Sequence, residues 1–453
     1  MLLKEGEDGV KIYRLQPVQI LALGFAAVIL IGALLLKLPI SSADGNSTPF
    51  LDCLFTATSA VCVTGLVTVD TGTHWSLFGQ VIILLLIQIG GLGFMTFATM
   101  FAIILGRKIS LKERLIMQEA YNAFNIQGIV KLAIYVMGIT FSIEGLGAIL
   151  LSTQFIPQYG WKRGIYYGIF HAVSAFCNAG FDLIGGFRSL TPYAENVVIN
   201  LTIMSLIVIG GLGFGVVTEI INNRNFKKLS LHSKVVIFAT SILIITGAIA
   251  FFILEYNNPK TLGALSLKGK ILSSFFASIT PRTAGFNTIN LPDMTTASKF
   301  LTIILMFIGA SPGSTGGGIK TTTATLILMV VLAVIKGRED TEIFERRIPK
   351  ELVYRAVGIT FISFMLVIFV TMVLSITQQG DFMEFMYEAT SAFGTVGLTL
   401  GLTPRLDAIG KLIIIFTMYS GRVGPLTLAL AFARKQLMAS KAIKYPEDKI
   451  LVG

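Results

Sequence analysis

Four short runs carry the residue types that strip and hold a cation. They are Ser59-Ala60-Val61-Cys62-Val63-Thr64-Gly65-Leu66, Ser174-Ala175-Phe176-Cys177-Asn178-Ala179-Gly180-Phe181, Thr280-Pro281-Arg282-Thr283-Ala284-Gly285-Phe286 and Ser391-Ala392-Phe393-Gly394-Thr395-Val396-Gly397-Leu398. Their aligned glycines lie 115, 105 and 112 residues apart. A cation crossing an apolar layer needs oxygen ligands in place of water, and rings of backbone carbonyls supply them. Glycine takes φ > 0 without a Cβ penalty, which turns successive carbonyls to one side. Gly65, Gly180, Gly285 and Gly397 meet that need. The oxygens would come from Val63 and Thr64, Asn178 and Ala179, Thr283 and Ala284, and Thr395 and Val396, together with the glycines. These side chains differ among the runs, which suits readout by backbone. The competing reading of any single run is a helix-breaking turn at a packing site; four in register favour one central ion site.

A fifth stretch departs from helical chemistry. Gly309-Ala310-Ser311-Pro312-Gly313-Ser314-Thr315-Gly316-Gly317-Gly318 holds five glycines and a proline in ten residues and runs on through Ile319 and Lys320. It cannot hold a continuous helix. Lying 24–35 residues beyond Gly285, it is expected just under the ring, where a mobile barrier would gate conduction; the alternative is a static broken helix. Gly313 to Gly318 also has the glycine spacing of a phosphate-binding loop, but Ile319 displaces Lys320 by one position and no strand precedes it. Nucleotide hydrolysis is therefore not expected, and the chain does not read as an enzyme.

Arg422 sits where the other repeats have Gly91 and Gly211. A cation at membrane depth faces the interior and needs a partner. The expectation is that it caps loop carbonyls between Gly309 and Gly318 and holds the gate shut, with purely structural capping as the alternative. Arg282 lies within a run and is expected to point behind it. Glu144 faces protein with no assignable partner. Outer segments hold Asp44, Asp52, Asp70, Asp182, Asp293, Asp381, Glu384 and Asp407, none singled out as a ligand, with Asp52 suited to the start of its helix.

The elements that position these residues belong to a membrane. Of 453 residues 54% are hydrophobic and 13% charged, against roughly 25% charged in soluble proteins. Spanning helices are expected at about 15–38, 128–153, 235–255 and 352–376, each near the ~20 apolar residues that cross the bilayer, and at 76–105, 196–221, 299–335 and 408–433. Between them the segments 51–60, 165–175, 270–279 and 382–392 are too short to span and read as re-entrant. Backbone that turns in the membrane must line protein or a wet cavity. Repetition supports this order: Ile89-Gly90-Gly91-Leu92-Gly93-Phe94 recurs as Ile209-Gly210-Gly211-Leu212-Gly213-Phe214, and Lys108-Ile109-Ser110-Leu111 is echoed by Lys228-Leu229-Ser230-Leu231. Close helix packing accounts for such glycines.

The expected fold is all-α and polytopic. Four helix–pore-loop–helix repeats (eight transmembrane helices, four re-entrant pore helices) stand in pseudo-fourfold order around one pore. The repeats are 13–111, 112–230, 231–345 with the loop 309–320, and 346–440, followed by a cytoplasmic tail, 441–453. No cleavable signal is expected, because the first apolar stretch is long enough to span. The net charge of +11 is distributed so that segments 1–15, 106–131, 222–234, 335–355 and 434–449 hold 23 of the 36 lysines and arginines. That bias places both termini in the cytoplasm and lipid, rather than nucleic acid, around the chain. Three cysteines and three histidines build neither a disulfide framework nor a metal site.

The four glycine-ended runs and the loop together resemble the Trk/Ktr/HKT superfamily of potassium transporters, over about residues 13–440. Because the first repeat begins by Tyr13, without an additional N-terminal helix pair, the resemblance is closest to the membrane subunits of bacterial Ktr systems. It implies potassium as the transported ion, sodium as a modulator and no organic cofactor. It also implies a bacterial plasma membrane, a homodimer, and a cytosolic KtrA-like nucleotide-binding ring as partner. In plant relatives a serine at the first filter position accompanies sodium permeability, so Gly65 implies potassium preference. Channel-like uptake driven by the membrane potential is expected, with sodium- or proton-coupled symport as the alternative and a non-transporting scaffold as a third class.

Overall fold

The computed structural model describes residues 17–424 apart from 106, 108 and 122–126. The chain opens with α1, Pro17–Leu36, twenty residues without a charge and with proline at the first helical position, where no intrahelical N–H is lost. Pro49 precedes α2, Phe50–Val61, whose first turn carries Asp52. Asp70 accepts from Thr73 N–H to start the single turn α3, Thr71–His74. Ser76 caps α4, Leu77–Leu92. Then come α5, Phe94–Ile104, and α6, Leu111–Tyr121. The long α7, Ile129–Phe176, is broken by Gly160 at φ 78°, so a spanning part and a short inner part follow one another. Asn196 caps α8, Val197–Leu212, which leads into α9, Phe214–Asn223. Ser230, Ser266 and Thr295 cap α10 (Leu231–Glu255), α11 (Leu267–Ile279) and α12 (Thr296–Phe307). After α13, Thr321–Ile335, a hairpin of β1 (Glu342–Ile343) and β2 (Arg346–Arg347) pairs Glu342 with Arg347 and Ile343 with Arg346. The chain then forms α14 (Lys350–Thr377), α15 (Phe382–Gly394) and α16 (Ala408–Val423), the last capped by Asp407.

The four short segments expected to dip into the membrane fall within α2, the inner part of α7, α11 and α15. Each packs on a longer helix of its own neighbourhood, and contacts α4–α7, α8–α11, α12–α15 and α16–α2 close the circle. Phe55, Phe170, Phe176, Phe276 and Phe393 on the short helices are wholly buried. Leu34, Ile149, Ile253 and Ile376, by contrast, are 60–77% exposed on α1, α7, α10 and α14. Large apolar side chains outside and hydrogen-bonded backbone inside are what hydrocarbon demands.

The eight expected spanning segments are built in more than one way. Among the described residues four helices are long and apolar enough to cross a membrane, α1, α7, α10 and α14, and up to six if each bent pair counts as one span. The segments 76–105 and 196–221 are not single helices. They bend by 95° between α4 and α5 and by 100° between α8 and α9, at Gly93 (φ 81°) and Gly213 (φ 97°). That left-handed backbone is open to glycine and costly for other residues. The glycine-rich repeat therefore breaks helices as well as packing them. Segment 299–335 is divided into α12 and α13, and 408–433 is helical to Val423. Residues 425–433 of that segment, residues 13–16 and the tail 441–453 lie outside the described residues.

Candidate functional site

Each short helix ends in a turn, and the four turns meet. A Cβ placed on Gly65 would lie 2.5 Å from the Ala179 carbonyl oxygen; on Gly180, 2.7 Å from that of Ala284; on Gly285, 2.5 Å from that of Val396. The circle closes because a Cβ on Gly397 would strike the Thr64 carbonyl and lie 3.0 Å from Gly65 Cα. The glycines hold φ between 69° and 91°. Two residues earlier Val63, Asn178, Thr283 and Thr395 also hold positive φ, from 50° to 74°. Sequence reasoning missed these: nothing in the β-branched Val63, Thr283 and Thr395 announces a left-handed backbone, and only Asn178 is of a type that visits it readily. Such conformations cost on the order of 1–3 kcal/mol each and persist where surroundings impose them.

The imposing contacts are on the short helices. Thr64, Ala179, Ala284 and Val396 donate N–H to the carbonyls of Ser59, Ser174, Thr280 and Ser391 at 2.8–2.9 Å. The hydroxyls of Ser59 and Ser391 accept from Gly65 and Gly397 N–H at 3.0 and 3.1 Å, while Ser174 and Thr280 donate to Phe181 and Phe286 carbonyls. Thus the residue that opens each run clamps its far end. The carbonyl oxygens of residues 63–65, 178–180, 283–285 and 395–397 accept no hydrogen bond from another described residue. Asn178 and Thr283 side chains meet at 3.2 Å, tying the second turn to the third.

The loop 309–320 lies against one end of this ring. A Cβ on Gly316 would meet the Thr283 side chain, and one on Gly317 would meet Thr395 Oγ1 at 2.5 Å; Gly317 N–H donates to that hydroxyl at 3.0 Å. The loop's base is closed by Gly309 N–H to Ile319 carbonyl at 2.8 Å, and its far side by Ser311 and Thr315 N–H to the Gly211 and Gly210 carbonyls. Phe214 N–H, freed by the bend at Gly213, donates to the Gly313 carbonyl at 2.9 Å. Ser311 pairs with Thr321, Ser314 with the Ser311 carbonyl, and Lys320 Nζ with the Gly316 carbonyl. Arg422 donates to the Thr315 carbonyl and to those of Gly90 and Gly91. Beyond the loop lies a cavity of about 240 Å³, lined among others by Gly313, Lys320, Arg422 and Arg355. On the opposite side of the ring a cavity of about 260 Å³ is lined by all four glycines and by Asp70 and Asp182.

Two wells separated by a ring of unpartnered carbonyls suit passage of an ion, and the comparisons decide the family. Residues 4–442 match the family described as TrkH, cation transport protein. The chain belongs to the TrkH cation transport family. It is 45% identical to Ktr system potassium uptake protein B of Bacillus subtilis (strain 168), over 98% of each chain. It is 46% identical to potassium/sodium uptake protein NtpJ of Enterococcus hirae, over 97% of this chain and 98% of that one. The crystal structure of the potassium transporter TrkH from Vibrio parahaemolyticus superposes with a TM-score of 0.73 at 18% identity, covering 93% of this chain and 86% of that one, and shares the fold. The family implied by the four glycine-ended runs is the family found.

Within this TrkH-family fold the charged side chains singled out in the sequence find their partners. Glu144 does have partners: Gln88 Nε2 lies 3.1 Å from both carboxyl oxygens, and Cys177 Sγ 3.8 Å from one. Arg282 turns away from the ring, its Nη2 donating to Thr240 of α10 at 3.2 Å. Asp52 does more than start its helix; it pairs with Lys411 of α16 at 2.6 Å, joining the first turn's helix to the last. Asp293 pairs with Lys260 and Glu384 with Arg405 away from the ring. Asp70 caps α3 and accepts from Phe187 N–H at 2.8 Å, binding the loop after the first turn to the loop after the second.

Proposed function

We propose that this chain carries potassium selectively across the cell membrane by a channel-like route, inward under the membrane potential, which supplies ~2.3 kcal/mol per charge per 100 mV. The single observation behind the reading is the closed ring of Gly65, Gly180, Gly285 and Gly397. A buried carbonyl without a donor costs about 1–3 kcal/mol. Twelve of them in one ring are tolerable if a cation that has shed its water fills the space. Val63, Thr64, Asn178, Ala179, Thr283, Ala284, Thr395 and Val396 then supply the filter with the glycines. Potassium is the ion that the names of both relatives at 45–46% identity share, and sodium stands beside it in the second; sodium as a modulator of potassium uptake is part of the proposal.

The loop Gly309 to Lys320 is the gate in this reading, because its glycines abut the inner filter residues Thr283 and Thr395. Arg422 is its latch, and its charge opposes a cation below the filter. The units 13–111, 112–230, 231–345 and 346–440 make one pore domain. A homodimer surrounded by lipid in a bacterial plasma membrane, with termini inside and a KtrA-like cytosolic ring against the basic face, completes the assembly. Rescue of a potassium-uptake-deficient cell, with and without the regulatory subunit, is the test. Growth at low potassium is expected with the pair; no rescue in either case, with protein present in the membrane, sinks the proposal. A fixed ion exchange ratio in flux measurements would make the chain a symporter instead.

The outer well adds a pH dependence. Burial pushes the Asp182 carboxyl up to about 7, and the neighbouring Asp70 carboxylate adds to the effect. Asp182 is therefore neutral below that value and gains its negative charge as external pH rises through it. A charge lining the entrance raises local cation concentration. Uptake at sub-saturating potassium is expected to rise about twofold across neutrality, an effect of that field reduced by salt. Asp182→Asn should flatten this pH profile; an unchanged slope would remove Asp182 from the account.

A further inference from the structure

The residue nine positions before each ring glycine differs among the four short helices: Thr56, His171, Phe276 and Glu388. All four are buried. Two of them reach past the glycine to hold the turn's outer half. His171 Nδ1 lies 2.7 Å from the Tyr167 carbonyl, which makes it the protonated nitrogen and leaves Nε2 to accept from Leu183 N–H at 3.3 Å, three residues beyond Gly180. Glu388 Oε2 accepts from the Thr399 hydroxyl at 2.7 Å, two residues beyond Gly397. Its Oε1 accepts from the Thr403 hydroxyl, and Thr399 Oγ1 in turn accepts from Gly401 N–H at 3.0 Å. The Thr56 hydroxyl has no partner among the described residues, and Phe276 has no polar atom to offer. The cyclic order 65, 180, 285, 397 puts the second and fourth turns opposite each other. At this register, therefore, a side chain of the short helix braces the outer half of the turn on one diagonal and not on the other.

We propose that Glu388 is a positioning residue for ion selection: through Thr399 it fixes the outer half of the fourth turn, and with His171 opposite it sets the ring's width along that diagonal. The inference rests on the filter reading above. A carboxyl within the membrane is costly and is kept where it holds something. The clamps from Ser59, Ser174, Thr280 and Ser391 hold each turn up to its glycine or one residue beyond, whereas Glu388 holds the fourth turn farther out, so slackening this brace lets the ring adapt to a smaller cation.

Thr399→Val removes the donated hydroxyl at nearly equal shape, whereas Thr399→Ser keeps it. With the full chain in cells and its regulatory partner present, Thr399→Val is expected to raise the KM for potassium about tenfold and to lower the potassium-over-sodium preference by a similar factor. That is the size of one lost hydrogen bond to a charged group. The maximal rate should stay within about twofold, since the loss is of spacing and not of folded protein. Thr399→Ser should stay near the parent in both, and Glu388→Gln, which keeps one acceptor oxygen, should fall between. A merely structural role would lower maximal rate and membrane abundance while leaving KM and preference alone, and would overturn the proposal. Gly65→Ser is measured beside them. If it shifts ion preference while Thr399→Val and Glu388→Gln do not, the brace is wrong and the ring stands. If none of the three shifts it, the filter reading fails and the brace with it.

Discussion

Gly65→Ser is expected to raise sodium uptake relative to potassium by about tenfold or more while the protein remains in the membrane. The serine Cβ would lie 2.5 Å from the Ala179 carbonyl oxygen and 3.1 Å from Gly180 Cα. Both neighbours are backbone, so no side-chain rotation relieves the overlap. The backbone there is also at φ 90°, which costs a non-glycine residue on the order of 1–3 kcal/mol. The first turn must therefore withdraw from the second, breaking a contact that closes the ring. The hydroxyl adds a ligand where the carbonyls have separated. Either change weakens the fit to a dehydrated potassium ion, and about 1.4 kcal/mol of lost discrimination is already tenfold. Competitive uptake of the two ions in cells lacking other potassium systems is the measurement. Unchanged preference at normal abundance would argue against the ring as the selecting element.

The second large effect is expected at Arg422. Its guanidinium joins two elements through three carbonyls: the loop at Thr315, and the end of α4 at Gly90 and Gly91. Hydrogen bonds to charged groups are worth about 1.5–3 kcal/mol each. Arg422→Ala removes them together with a positive charge below the ring, so potassium flux without sodium or regulatory subunit should rise by about tenfold or more. Arg422→Lys keeps charge but not the planar fork that reaches both elements, and should leak to an intermediate degree. Flux and sodium response equal to the parent, in a folded protein, would end the latch role and leave Arg422 as a structural cap.

Much of the site was legible because its signal is local. A polar run ending in glycine, interrupting apolar sequence, is visible without partners, and four such runs at near-equal spacing expose one another. The loop was equally plain, since five glycines and a proline exclude a helix whatever surrounds them. Arg422 was legible as an anomaly: a charge where the sister repeats carry glycine. Glu144 was not assignable, because Gln88 and Cys177 are 56 and 33 residues away and only packing brings them together. Glu388 gave no signal for a similar reason; its role depends on hydroxyls that a folded turn carries back to its own helix.

The bends at Gly93 and Gly213 mark the boundary between the two kinds of knowledge. Composition and periodicity show that residues 76–105 and 196–221 are apolar and helical, and glycine permits a break, but nothing local requires one. At Gly213 the N–H of Phe214 that the break frees finds the Gly313 carbonyl of the loop, a partner about a hundred residues away in the chain. By itself the sequence determined the class of protein, the four turns, the loop and the residue types at each, because lipid and backbone hydrogen bonding leave few alternatives for such segments. Only the tertiary structure decided that Gly65 lies beside Gly180 and Gly397 beside Gly65, that the loop lies against Thr283 and Thr395, and which carbonyls Arg422 holds. Those are contacts between distant segments, set by how the helices pack, and no short-range rule contains them.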